Sequence, residues 1–81
     1  MNEEQWVLWE KHIADHRQHR AQYLHLLNLD KDQLGMTMLK AQHMQLQSHM
    51  IALRQLIAEC DAILAADAEL RRLVSAEAVP A

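Results

Sequence analysis

The chain has 81 residues, with eight Lys and Arg against eleven Asp and Glu, and a net charge of −3 with histidine neutral. A chain this short makes one domain at most, and domains of this size commonly lean on a staple or a partner. Cys60 is the only cysteine, so no internal disulfide can serve as that staple, and the lack of basic excess argues against nucleic acid as the main partner.

The first residues, Met1-Asn2-Glu3-Glu4-Gln5-Trp6, carry acids where a signal peptide has Lys or Arg, and no apolar run follows. No stretch approaches the roughly 20 apolar residues of a membrane span. The expectation is a cytoplasmic protein without a membrane partner.

Helix 1 is predicted over 3–28. Asn2 suits an N-cap, and Glu3 and Glu4 sit well at the positive end of the helix dipole. Its apolar stripe steps by three and four through Trp6, Trp9, Ile13, then Tyr23, Leu24 and Leu27. Between Ile13 and Tyr23 the same face carries His16 and Arg20, with Arg17 alongside, which gives the stripe a polar waist. Asn28 then suits a C-cap. Asp30-Lys31-Asp32-Gln33 resembles an N-capping box, so the turn is expected at 29–31 and helix 2 at 32–75, with a frayed tail at 76–81. Gly35 would then be a tolerated flaw in the first turn of helix 2, or the end of a short helical turn followed by Thr37 as a second cap.

Between Met36 and Val79 there is neither Gly nor Pro, and few residues are β-branched. Leu39, Leu46, Leu53, Cys60, Asp67 and Val74 recur every seven residues, flanked by rows through Gln42, His49, Leu56, Ile63, Leu70 and through Met36, His43, Met50, Ile57, Leu64. Such spacing predicts coiled-coil-like packing. A second stripe, through Ala41, Met44, Ser48, Ile51 and Ala58, marks another side of the same helix.

With a turn at 29–31, helix 1 folded back reaches only to about Ala58. The seam Leu53, Leu56, Cys60, Ile63, Leu64, Leu70 and Val74 then lacks cover at its far end, and a second chain is the economical roof. A break near Asp67, with a short third helix folding back, is the alternative; Asp67 can equally pair with Arg71 on one continuous helix.

His12, His16 and His19 share one side of helix 1. The predicted register brings His12 level with His49 and His19 level with His43, and imidazoles so grouped, near several methionines, form an alternative Zn or Cu site. Against it, Arg17 and Arg20 are interleaved, and no His-Glu-x-x-His motif or second cysteine is present. Trp6, Trp9, Arg17, Arg20, Met44 and Ile51 are the candidate partner-binding residues, since Trp and Arg dominate interface hot spots and Met adapts to varied surfaces. No glycine-rich phosphate loop, nucleophile elbow or catalytic Cys/His pair occurs.

The sequence therefore predicts an all-α antiparallel helical hairpin, its second helix the longer, dimerising into a four-helix bundle. The expected function is non-catalytic: a homodimeric regulator or inhibitor that binds a larger cytoplasmic protein, with no cofactor. The alternatives are a His/Met metal-binding protein, and an adaptor, export chaperone or structural assembly segment.

Overall fold

The computed structural model describes residues 2–78, and these form two helices, α1 (Glu3–Met36) and α2 (Lys40–Ala78), joined by residues 37–39. There is no strand among the described residues. Contacts that pair early residues with late ones, Glu10 with Arg71, His16 with Cys60 and Asp30 with His49, make the pair antiparallel.

The start of α1 follows the sequence. The Asn2 side chain accepts from the Gln5 N–H at 2.8 Å, and the Gln5 side chain accepts from the Asn2 N–H at 3.0 Å, closing a capping box. Glu3 and Glu4 lie in the first turn.

The turn expected at 29–31 is corrected: α1 runs on through it for two further turns. Asp30 does not cap a new helix, because its carboxylate is drawn across the hairpin to the His49 imidazole and its backbone stays helical. Gly35 lies in the last turn of α1, with no positive φ and open space where a Cβ would stand. The helix ends at Thr37, extended at φ −88° and ψ 129°, whose hydroxyl donates to the Gln33 carbonyl at 2.8 Å. That bond satisfies one of the carbonyls a helix end leaves open. The His43 ring Nε2 contacts the Thr37 carbonyl, and the Leu39 carbonyl accepts from the His43 N–H at 3.1 Å. One histidine thus ties the turn to the first turn of α2.

Moving the turn equalises the arms. α1 has 34 residues and α2 has 39, a difference of about 8 Å in length at the helical rise. The expectation that α2 outruns its cover is therefore overturned. Cys60 and Asp67 are buried by α1 of the same chain, and Ile63, Leu64 and Leu70 are half-buried. Leu53 lies inside the hairpin, whereas Leu56 and Val74 stay exposed. α2 is continuous through Asp67, so no third helix forms; it remains helical to Ala78, and the rest of the expected tail, 79–81, lies outside the described residues.

The packed face of α1 steps 6, 9, 13, 16, 20, 23, 27, 30, 34, and that of α2 steps 43, 46, 50, 53, 57, 60, 64, 67; every one of these side chains is buried or half-buried. This is a heptad seam. Leu27, Met50, Leu53 and Ile57 form its apolar centre, with Tyr23, Leu24 and Leu34 packed on it. The polar waist of helix 1 is part of the seam, as the sequence indicated. The hairpin is long and thin, 64 × 23 × 15 Å with a radius of gyration of 18.4 Å. A compact chain of this length has a radius near 12 Å.

Candidate functional site

Two buried carboxylates stand in the seam. Asp67 is only 3 % exposed. It accepts from the Trp9 indole N–H at 2.8 Å and from Arg71 Nε at 2.9 and 3.1 Å, and the Arg17 guanidinium lies 4.0 Å away. Burial pushes this carboxyl up. The Trp9 bond, the Arg71 bond and the charges of Arg71 and Arg17 together outweigh it and hold the group below its ordinary value. Arg71 also lies 5.8 Å from the Trp6 ring centroid and 3.7 Å from the Glu10 carboxylate. The two tryptophans and Arg71 thus form one knot that locks the N-terminal end of α1 onto the C-terminal part of α2.

The second carboxylate, Asp30, is paired with His49 beside an open groove of about 530 Å³ near the turn, whose walls include Gln33, Gln42, Gln45 and Met36. Between the two carboxylates, His16 Nδ1 stands 3.9 Å from Cys60 Sγ, and Arg20 pairs with Asp61. No fully buried side-chain nitrogen or oxygen lacks a partner among the described residues.

The heptad step gives the hairpin two unlike flanks. In an antiparallel pair the residues beside the seam on one edge meet those on the matching edge of the partner helix. One flank carries Glu10, Arg17 and Lys31 from α1 and Lys40, Arg54 and Asp61 from α2. It holds the Arg20–Asp61, Arg17–Asp67 and Arg71–Glu10 ion pairs. The other carries His12, His19, Leu26 and Gln33 from α1, and Gln42, His49, Leu56, Ile63 and Leu70 from α2. From His12 to Gln33 and from Gln42 to Leu70 no Lys, Arg, Asp or Glu occupies it, and the groove by the turn is its continuation. The outer face of α2, opposite α1, is a third surface; Met44 and Ile51 are exposed there beside Ala41, Ser48 and Ala58.

The residues singled out from the sequence therefore divide. Trp6, Trp9 and Arg20 are engaged inside the hairpin, and Arg17 is exposed at its charged edge. Met44 and Ile51 lie on a different surface and do not join them.

The cross-hairpin imidazole cluster does not form, because it depended on the displaced turn. His12, His16 and His19 stack along α1 between Trp9 and Tyr23, with successive His ring centroids 4.4 and 6.4 Å apart. His43 and His49 are committed near the turn, and the levels of Cys60 and His49 differ by about 16 Å along α2. Among the described residues no group of three or more His, Cys, Asp or Glu is placed to hold a metal ion. The seam position of Asp67 and its pairing with Arg71 were legible in the sequence; its bond to Trp9 and the role of Asp30 were not, and the available signal for Asp30 was that it falls on the heptad steps of Leu27 and Leu34.

No family model, no curated protein and no solved structure matches this chain. Among the described residues no helix is long and apolar enough to cross a membrane.

Proposed function

We propose that this chain is a non-catalytic interaction module, a homodimeric helical hairpin that regulates or inhibits a larger cytoplasmic protein by stoichiometric binding. One observation carries the reading. Among the described residues six apolar side chains are buried, while twelve large ones remain more than a third exposed. A small domain with that balance leaves most of its large apolar side chains to water, and where they adjoin, as on one face of α2, such surface marks association.

The outer face of α2 is the seat proposed for the larger partner. Met44 and Ile51 stand 60 % and 55 % exposed, two helical turns apart, in a row with no charged residue from Ala41 to Ala65. Methionine on such a face adapts to the contours of a partner.

The test is capture from native lysate with the tagged full chain over a range of salt. A partner held by the parent and lost by Met44→Glu with Ile51→Glu supports the proposal, provided that adding the purified chain alters the partner's activity at a fixed stoichiometry. Recovery of no partner at any salt, or capture indifferent to the double variant, overturns it.

A further inference from the structure

The uncharged flank is an unpartnered surface of a different kind from the outer face of α2. Its middle is apolar: Leu26 is 40 % exposed and Leu56 is 37 % exposed, and further along α2 Ile63 and Leu70 are half-buried. Its α1 edge carries the imidazoles of His12 and His19. The opposite flank is closed by ion pairs and carries both signs of charge.

We infer that the uncharged flank is the seat of the second copy, and that protonation of His12 and His19 releases it. The inference rests on the homodimeric reading above and assigns it a face and a control. Three observations carry it.

The first is charge. A two-fold contact sets a surface against itself, so any net charge on it meets its like. The charged flank, with Arg17, Lys31, Lys40 and Arg54 against Glu10 and Asp61, would meet its copy with a net positive charge, whereas from His12 to Gln33 and from Gln42 to Leu70 the flank of Leu26 and Leu56 carries no Lys, Arg, Asp or Glu.

The second is area. The chain exposes 6335 Å², against about 5,000 Å² for a compact monomer of its mass. The excess of roughly 1,300 Å² exceeds the ~800 Å² that each partner of a stable complex buries.

The third is geometry. Beside the seam α2 adds a row of three apolar positions, Leu56, Ile63 and Leu70, and α1 adds Leu26; apolar positions flanking a seam are what a four-helix bundle uses to bring two hairpins together.

The control follows from what surrounds the imidazoles. His12 is stacked between Trp9 and His16, and His19 between His16 and Tyr23. From α2, the titratable groups on this stretch are Cys60, held to His16, and Asp67, already engaged by Trp9, Arg71 and Arg17. Asp15 lies one turn from both imidazoles on α1, and Glu59 borders Ile63 on α2; neither is within ion-pair distance of His12 or His19. His49 is left out of the switch, because its ring is already paired with the Asp30 carboxylate. Histidine changes charge between about pH 5 and 8. At the acid end the flank acquires positive charge at His12 and His19 on both copies, with no anion within ion-pair distance of either on its own chain.

Size-exclusion chromatography with light scattering on the full chain tests this. The parent is expected to be a dimer near pH 7.5, with an apparent dissociation constant that rises about tenfold or more near pH 5.5. Leu26→Glu with Leu56→Glu is expected to give a monomer of unchanged helicity by circular dichroism. If that variant loses helicity, Leu26→Gln with Leu56→Gln takes its place, with the same expectation. His12→Gln with His19→Gln is expected to dimerise and to resist acid, and Ile51→Glu to leave the dimer intact. A parent that is monomeric at every concentration overturns the inference, as does a flank variant that still dimerises or an acid response that survives the histidine substitutions. Loss of the dimer in Ile51→Glu would move the contact to the outer face of α2 and overturn it equally. Capture of a larger partner is a separate measurement, so that reading can fail or stand apart from this one.

Discussion

Replacing Asp67 is the most direct probe of what holds the two arms in place. In Asp67→Ala the Trp9 indole N–H loses its acceptor at a half-buried position, and Arg71 loses its carboxylate on the next turn. A hydrogen bond to a charged group contributes about 1.5–3 kcal/mol. The Arg71 side chain is 44 % exposed and regains water, so its pairing adds only a few tenths, about 0.3–0.5 kcal/mol. The expected loss is about 2–3 kcal/mol, which lowers the melting temperature by about 10 °C or more in a domain of this size. Asp67→Asn keeps an acceptor for Trp9 but discards the charge, so it should fall between parent and Asp67→Ala. The sign of the pH effect follows from the depressed folded-state pKa. An unfolded Asp titrates near 3.9. The stabilisation from this group is therefore fully present above about pH 5 and is lost as the pH falls below about 3.9 through the folded-state value. Urea unfolding followed by circular dichroism, at one fixed protein concentration, measures both effects. A loss below about 0.5 kcal/mol in Asp67→Ala, within the range of ordinary surface substitutions, would refute the view that this knot anchors the hairpin.

Two further substitutions test the seam and the turn. Leu53→Ala empties a site that is 3 % exposed and packed among Leu27, Met50 and Ile57, and should cost about 2–4 kcal/mol in the same urea assay. The equivalent change at Ile51, 55 % exposed on the outer face of α2, should cost well under half as much, and equal costs would place the seam wrongly. Gly35→Ala should stabilise by about 0.5–1 kcal/mol, since the backbone is helical there and a Cβ meets nothing within 4 Å. A measured loss of stability instead would place Gly35 outside the helix.

The helical class, the capping box at Asn2 and the buried stripe of helix 1 with its His16–Arg20 waist were legible in the sequence because each is a local pattern. The place of the turn was not. Asn28, Asp30 and Gln33 each have a good local reason to end or begin a helix, and the sequence offers no stronger stop before Gly35. What decides against them is non-local: Asp30 sits on the seam and finds His49 nineteen residues on. A heptad pattern could not reveal this. In an antiparallel pair, sliding one helix past the other by seven residues or a multiple of seven sets the same kinds of positions face to face. The apolar rows therefore fit more than one register. The imidazole cluster and the uncovered end of α2 both followed from one such wrong register, and both fell with it.

The same degeneracy gives the polar residues of the seam their role. Asp30 with His49, His16 with Cys60, and Trp9 with Asp67 are pairs that only one register satisfies. A slipped hairpin would keep its leucines in contact yet leave buried carboxylates facing apolar groups, at a cost of several kcal/mol for each unpaired charge. Asp30→Leu separates these contributions. It joins Leu27 and Leu34 into one apolar run along α1 and frees His49, which is already about half exposed, to face water. Burying a leucine where a charge stood is often neutral or stabilising. The variant should therefore be at least as stable as the parent in urea while losing the preference for one register. Amide and indole NMR spectra report the second effect, because Trp6 and Trp9 sit at the end of the hairpin farthest from residue 30 and their surroundings change with any slip. Extra indole resonances beyond the parent's two tryptophans, at unchanged or raised stability, are the expected result. A single parent-like set would mean that the Trp9–Asp67 and His16–Cys60 pairs fix the register without Asp30.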